Sequence, residues 1–176
     1  MITHSVFPVV LLTGFFTAGT NAGISCNTFP WVGEHWFYTK NHFFVSDEIP
    51  FWRNFTENKL ICQVNHRTLA TLMTLWTTFV GIGMIKLINI SFSSKTSIIL
   101  LILSLWTQMS IGISAIWNSV PIHIASAHQI GAMTVMTTFL YTLHNARRVD
   151  IRHVNNMIGK LKREDPNAYK RLMTYQ

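Results

Sequence analysis

The sequence predicts an all-α membrane protein, a four-transmembrane-helix bundle with a long outer loop and a basic inner C-terminal tail. Three observations lead there. Hydrophobic residues make up 49% of the 176, charged residues only 12%, and mean hydropathy is +0.28, a membrane composition. Four apolar segments each approach the ~20 residues that cross a bilayer as a helix. The Lys and Arg excess, net charge +7, falls on one side of those segments. Lipid admits only helices or closed barrels as spanning structures, because no water satisfies an open backbone there. A basic balance carried by membrane segments points to a cytoplasmic or matrix face, not to nucleic acid.

The first segment covers about residues 5–24. Its apolar run is too long for a signal peptide, and neither Lys nor Arg precedes it. Gly14, Ala18 and Ala22 recur every fourth position, a ridge along which helices approach closely. Pro30 disfavours helix at Phe29 and opens a polar, aromatic loop from Cys26 to Asn65. Trp31, Trp36, Phe37, Tyr38, Phe43, Phe44, Phe51 and Trp52 crowd this loop, as an interfacial belt or as a lid over a cofactor. Cys26 and Cys62 flank it with no zinc-binding spacing, and a disulfide between them is open if the loop lies in an oxidising space. The remaining spans are expected at about 66–88, 98–117 and 122–143. Residues 1–146 then form the membrane domain and 147–176 the tail, a surface helix broken near Pro166.

Orientation follows from charge. The turn holding Lys86 and Lys95 and the tail are positive. The loop sets Lys40, Arg53 and Lys59 against Glu34, Asp47, Glu48 and Glu57. The positive-inside rule places both termini inside and the long loop outside.

Two histidines form the one strong chemical constellation. His66 opens the second span, and His128 lies about one turn into the fourth. Both spans run outside to inside, so at about 1.5 Å per residue the two imidazoles sit at matching depth. A histidine in a membrane helix is a functional candidate, since lipid penalises polar groups. The pair suits the two axial positions of one heme iron; interhelical hydrogen bonding is the plainer use. Ala70, Thr77 and Gly81 follow His66 on nearly one face, and Gly131, Ala132 and Val135 flank His128, leaving room for a porphyrin. Arg67 and Arg53 lie at the outer boundary, where heme propionates would emerge. His144 is rotated about 160° from His128 and belongs to the inner boundary. His4, His35, His42, His123 and His153 are loop or boundary residues.

Several stretches together carry a resemblance. They are Gly14…Ala18–Gly19…Ala22–Gly23…Asn27–Thr28–Phe29–Pro30, then Trp52–Arg53–Asn54–Phe55–Thr56–Glu57–Asn58…Gln63…His66–Arg67, then Gln108…Gly112–Ile113…Val120–Pro121…Ala125…His128–Gln129. In that order, over about Thr13 to Arg148, the chain resembles the C-terminal half of heme A synthase. The family has eight membrane helices in two similar halves, each with two histidines, and oxidises a methyl group of heme O to the formyl of heme A for cytochrome oxidase. The resemblance implies heme b as cofactor, with His66 and His128 as its ligands. Val64–Asn65 replace the family's Phe-Asp before the His-Arg pair, and Cys26 stands where Tyr is common. Glu57 aligns with this half's own pattern, so the catalytic glutamate of the other half is not transferred to it.

The expectation is therefore the heme-b-binding half of a split heme A synthase, catalytic only with a separate N-terminal half. The alternatives are a non-catalytic subunit of a respiratory-chain complex derived from that half, or a b-type electron-transfer cytochrome. The implied setting is a mitochondrial inner membrane or a bacterial plasma membrane, with lipid and a respiratory membrane subunit as partners.

Overall fold

The computed structural model describes residues 2–33, 50–87, 90–147 and 151–174. Every regular element among them is a helix. In chain order these are α1 (Ile2–Gly19), a 3₁₀ turn at Ala22–Ile24, a second at Phe51–Arg53, α2 (Asn54–Glu57), α3 (Lys59–Leu87), α4 (Phe92–Trp117), α5 (Ile122–Arg147), α6 (Ile151–Glu164) and α7 (Pro166–Thr174). The loop aromatics Trp36, Phe37, Tyr38, Phe43 and Phe44 lie outside the described residues.

Capping sets these boundaries, and it moves several away from the edges of the apolar runs. α3 begins at Lys59, not at His66, because the Asn58 side chain accepts from Leu60 and Ile61 N–H at 3.1 and 3.3 Å. The long loop therefore ends before Asn65, and His66 lies about two turns inside its helix. α4 starts at Phe92 because Ser91 Oγ accepts from Ser94 N–H. α1 ends at Gly19, earlier than the apolar run, and Asn21 follows in the left-handed region at φ 53°. α6 stops ahead of Pro166, and Asp165 accepts from Asn167 and Ala168 N–H to open α7.

Four helices share one core. Phe7 and Val10 of α1, Met73 of α3, Leu101 and Leu105 of α4, and Val135 and Phe139 of α5 are all buried in it. Phe7 and Phe139 stack with centroids 4.4 Å apart. α1 packs on α3, α3 on α4, and α4 on α5 over most of its length. Polar side chains tie the helices from within. Ser104 and Thr138 hydroxyls meet at 2.9 Å, and Thr142 Oγ1 donates to the Ser97 carbonyl at 3.0 Å.

Exposure is inverted relative to a water-soluble bundle. Phe15, Phe79 and Met133 are 71%, 75% and 70% exposed, while Gln63, Thr74, Ser97 and Asn145 are buried. Lys59–Lys86 and Phe92–Trp117 are long and apolar enough to cross a membrane, and Val6–Gly19 is a shorter apolar helix. This outside-apolar surface is what a lipid environment accommodates.

Phe139→Ala removes the ring stacked on Phe7 and leaves a hole in the shared core. It should lower stability in detergent by about 3 kcal/mol or more. Leu103→Ala, on a residue 59% exposed on the outside of α4, should change it by less than about 0.5 kcal/mol. Thermal unfolding of the two purified variants checks the contrast.

Candidate functional site

The site is a layer of the bundle about 10 Å along the helices from the apolar core. Gly14, His66, Gly112 and His128 occupy it, one on each of the four helices. Each has a buried core residue seven positions away on its own helix, namely Phe7, Met73, Leu105 and Val135. Seven residues fall about 20° short of two full turns, so each pair lies on one helix face. The face that builds the core is therefore the face that carries the histidines and the glycines. His66 lies about two turns after Lys59, and His128 slightly under two turns after Ile122, so the pair share a level. The two rings lie within electrostatic reach of each other.

A glycine of the neighbouring helix receives each ring. A Cβ on Gly14 would stand 3.0 Å from His66 Cε1, and one on Gly112 would stand 2.8 Å from His128 Cε1. Both rings are rigid, so a larger residue at either glycine would have to displace the imidazole. The room beside the rings thus comes from across the helix interface. Of the small residues that follow His66 on its own helix, Thr77 is buried and Gly81 faces Ile98 and Ile102 of α4. Gly131 makes a notch for the Gln108 side chain.

Polar neighbours complete the layer. Thr13 Oγ1 lies 3.2 Å from His66 Nδ1. Gln108 donates from Nε2 to the His128 carbonyl at 2.9 Å and lies 3.4 Å from His128 Nε2. His128 Nδ1 and Gln108 Oε1 are buried without a hydrogen-bond partner. Among the described residues no group of three or more His, Cys, Asp or Glu converges. Two imidazoles alone do not make a protein-only zinc site, which takes at least three protein ligands. They do suit a planar group that brings its own equatorial donors and needs one nitrogen on each face.

The two arginines separate. Arg67 is buried and donates to three loop carbonyls, Thr28 at 3.0 Å and Pro30 and Trp31 both at 2.6 Å, with its guanidinium over the Phe29 ring. Gln63, one turn earlier, donates to the Gly23 and Cys26 carbonyls. The first turns of α3 thus hold down the chain that leaves α1. That chain also reaches the α4–α5 turn, where Asn27 donates to Ser119 Oγ at 2.9 Å. Arg53 lies on the exposed side of the same end, paired with Glu57 at 2.7 Å. Cys26 and Cys62 are buried free thiols with different partners, Thr28 and Gly33 for the first and the Phe55 carbonyl for the second. His144 is exposed.

Sequence reasoning picked out both histidines but missed Thr13, and it gave Gln108 and Gly112 no task of their own. Gly14 was visible only as part of a packing ridge. The signal available was the heptad relation between these positions and the apolar core.

Arg67→Ala would free three carbonyls at once and should cost roughly 3 kcal/mol. Arg67→Lys should recover little, since one ammonium cannot cover the three carbonyls that the planar fork spans. Limited proteolysis between α1 and α3 should accelerate in both variants.

Comparison with known proteins places these observations in a family. Residues 1–140 match the family model COX15-CtaA, described as cytochrome oxidase assembly protein. The chain is 34% identical over 156 residues to heme A synthase of Nitrosospira multiformis, covering 84% of this chain and 40% of that protein. It is 35% identical over 148 residues to heme A synthase COX15 of Arabidopsis thaliana, covering 80% of this chain and 30% of that protein. It is 33% identical over 150 residues to heme A synthase COX15 of Homo sapiens, covering 83% of this chain and 35% of that protein. The chain therefore spans well under half the length of these relatives. No solved structure is significantly similar to it.

Proposed function

The chain belongs to the heme A synthase family of cytochrome oxidase assembly proteins, and we propose that it is the heme-b-binding half of such an enzyme. In this reading it works with a separate N-terminal half to oxidise heme O to heme A for cytochrome c oxidase. The observation that carries the proposal is the shared layer: two imidazoles at one level of a four-helix interior, each ring against a glycine of the adjacent helix. His66 and His128 would hold the iron of heme b from opposite faces, and the porphyrin supplies the redox chemistry. Arg67 and Arg53 would give the propionate end a positive boundary, Arg67 through its charge while its donors hold the loop.

The four bundle helices all cross the membrane in this reading, with both termini on the matrix or cytoplasmic side. The basic tail supports that orientation, as does the Lys86–Lys95 turn. The membrane is the mitochondrial inner membrane, or the plasma membrane if the chain is bacterial. A second reading, a heme-binding subunit of a respiratory complex without catalysis of its own, is favoured by one observation. The helices of the tail, α6 and α7, lie beyond the residues matched to the family.

The chain purified with heme should show a low-spin bis-imidazole spectrum with one heme per chain. His66→Ala or His128→Ala should turn it high-spin or abolish heme binding, and His144→Ala should leave it unchanged. A heme-free preparation made with heme in plentiful supply would sink the assignment. Co-purification separates the two functional readings. An N-terminal heme A synthase half that restores heme O oxidation favours the first; a respiratory complex without that activity favours the second.

A further inference from the structure

The polar support of the two imidazoles differs in kind, and the difference starts at Thr13. Its hydroxyl carries one hydrogen, which it gives to the Val10 carbonyl at 2.8 Å, the back-bond usual for Thr in a helix. Towards His66 Nδ1, at 3.2 Å, the same oxygen has only lone pairs left to offer. An acceptor therefore faces this side of the ring, and Nδ1 must carry the proton. A neutral imidazole protonated at Nδ1 has its lone pair on Nε2.

We propose that Thr13 is a positioning residue that fixes His66 in the Nδ1–H tautomer and so holds Nε2 ready as the donor atom. What Nε2 meets rests on the heme reading above; the tautomer does not. His128 is supported differently: the Gln108 amide nitrogen, which can only donate, lies 3.4 Å from its Nε2. Its Nδ1 is buried and unpartnered, and Gln108 gives its shorter bond to the His128 backbone, not to the ring. Both rings pack against a glycine, and they differ in the polar partner: an acceptor at His66 Nδ1, a donor at His128 Nε2. A hydrogen bond from the far nitrogen makes a ligating imidazole more electron-donating.

The test uses the full chain with ¹⁵N-labelled histidine, heme-free and heme-loaded, with Thr13→Val and Thr13→Ser beside the wild type; His66→Ala identifies the signal. In the heme-free wild type, the His66 Nδ1 shift should be of the protonated kind and Nε2 of the unprotonated kind. Thr13→Val, nearly the same size without the hydroxyl, should lose that preference, and Thr13→Ser should keep it. In the heme-loaded protein, Thr13→Val should remain low-spin while its midpoint potential moves upward, and Thr13→Ser should leave the potential in place. An Nε2–H tautomer in the wild type, or a tautomer unmoved by Thr13→Val, overturns the proposal. A tautomer that moves in a chain that takes up no heme would sink the heme reading and leave the role of Thr13 standing. Heme uptake with an unmoved tautomer would do the reverse.

Discussion

The structure depends on how an imidazole is kept inside an apolar bundle. A ring is too bulky for an ordinary helix contact and too polar for an unlined one. Both problems are met at one place for each histidine. The neighbouring helix offers a glycine, so the ring lies against backbone instead of meeting a Cβ. A residue beside or one turn from that glycine then brings a polar atom to the ring, Thr13 next to Gly14 and Gln108 four positions before Gly112. Moving either glycine by one position would rotate it about 100° away from the ring. The helix faces are therefore constrained in register, not only in composition.

The same helix that carries His66 also anchors the far end of α1. Gln63, His66 and Arg67 fall within about one turn of α3, and they address the chain after α1, the α1 glycine and the loop carbonyls respectively. Thr17 adds a bond from α1 to the Cys62 carbonyl at 3.0 Å. Three loop carbonyls that would otherwise need water are satisfied by one buried guanidinium, so loop and helix form a unit. The depth of His66 is set by this clamp as much as by the core below it.

Much of this was legible in the sequence, for reasons that differ by element. Apolar runs reveal α1, α3, α4 and α5 because lipid-facing surfaces leave so little room for charge. The break at Pro166 was readable because proline cannot continue a helix interior. The start of α3 was not, since Lys59, Gln63 and Asn65 are polar and face the loop end, where hydropathy reports a loop. Asn58 as its cap is a local signal that the long aromatic stretch before it obscured. The small residues beside His66 were sought on its own helix. The structure adds a glycine across the interface, Gly14, a contact separated by dozens of residues that no local pattern encodes. Thr13 was missed because its importance lies in the direction of a hydrogen bond, which residue type alone does not state.

The two halves of the bundle are built on one plan and finished differently. α1 with α3, and α4 with α5, each pair a glycine on the first helix with a histidine on the second, above core residues at the same heptad offset. A symmetric layer of this kind presents two equivalent nitrogens to anything placed between them. The polar finish removes the equivalence: a hydroxyl whose hydrogen is already committed faces one ring as an acceptor, and an amide nitrogen that can only donate faces the other. Packing in the layer answers where the rings go, because glycine notches admit only one placement. Hydrogen bonding answers a separate question, which nitrogen carries the proton, and it does so through a different kind of partner on each side. Geometry and protonation are thus controlled by different residues, Gly14 and Thr13, adjacent in sequence and both directed at His66.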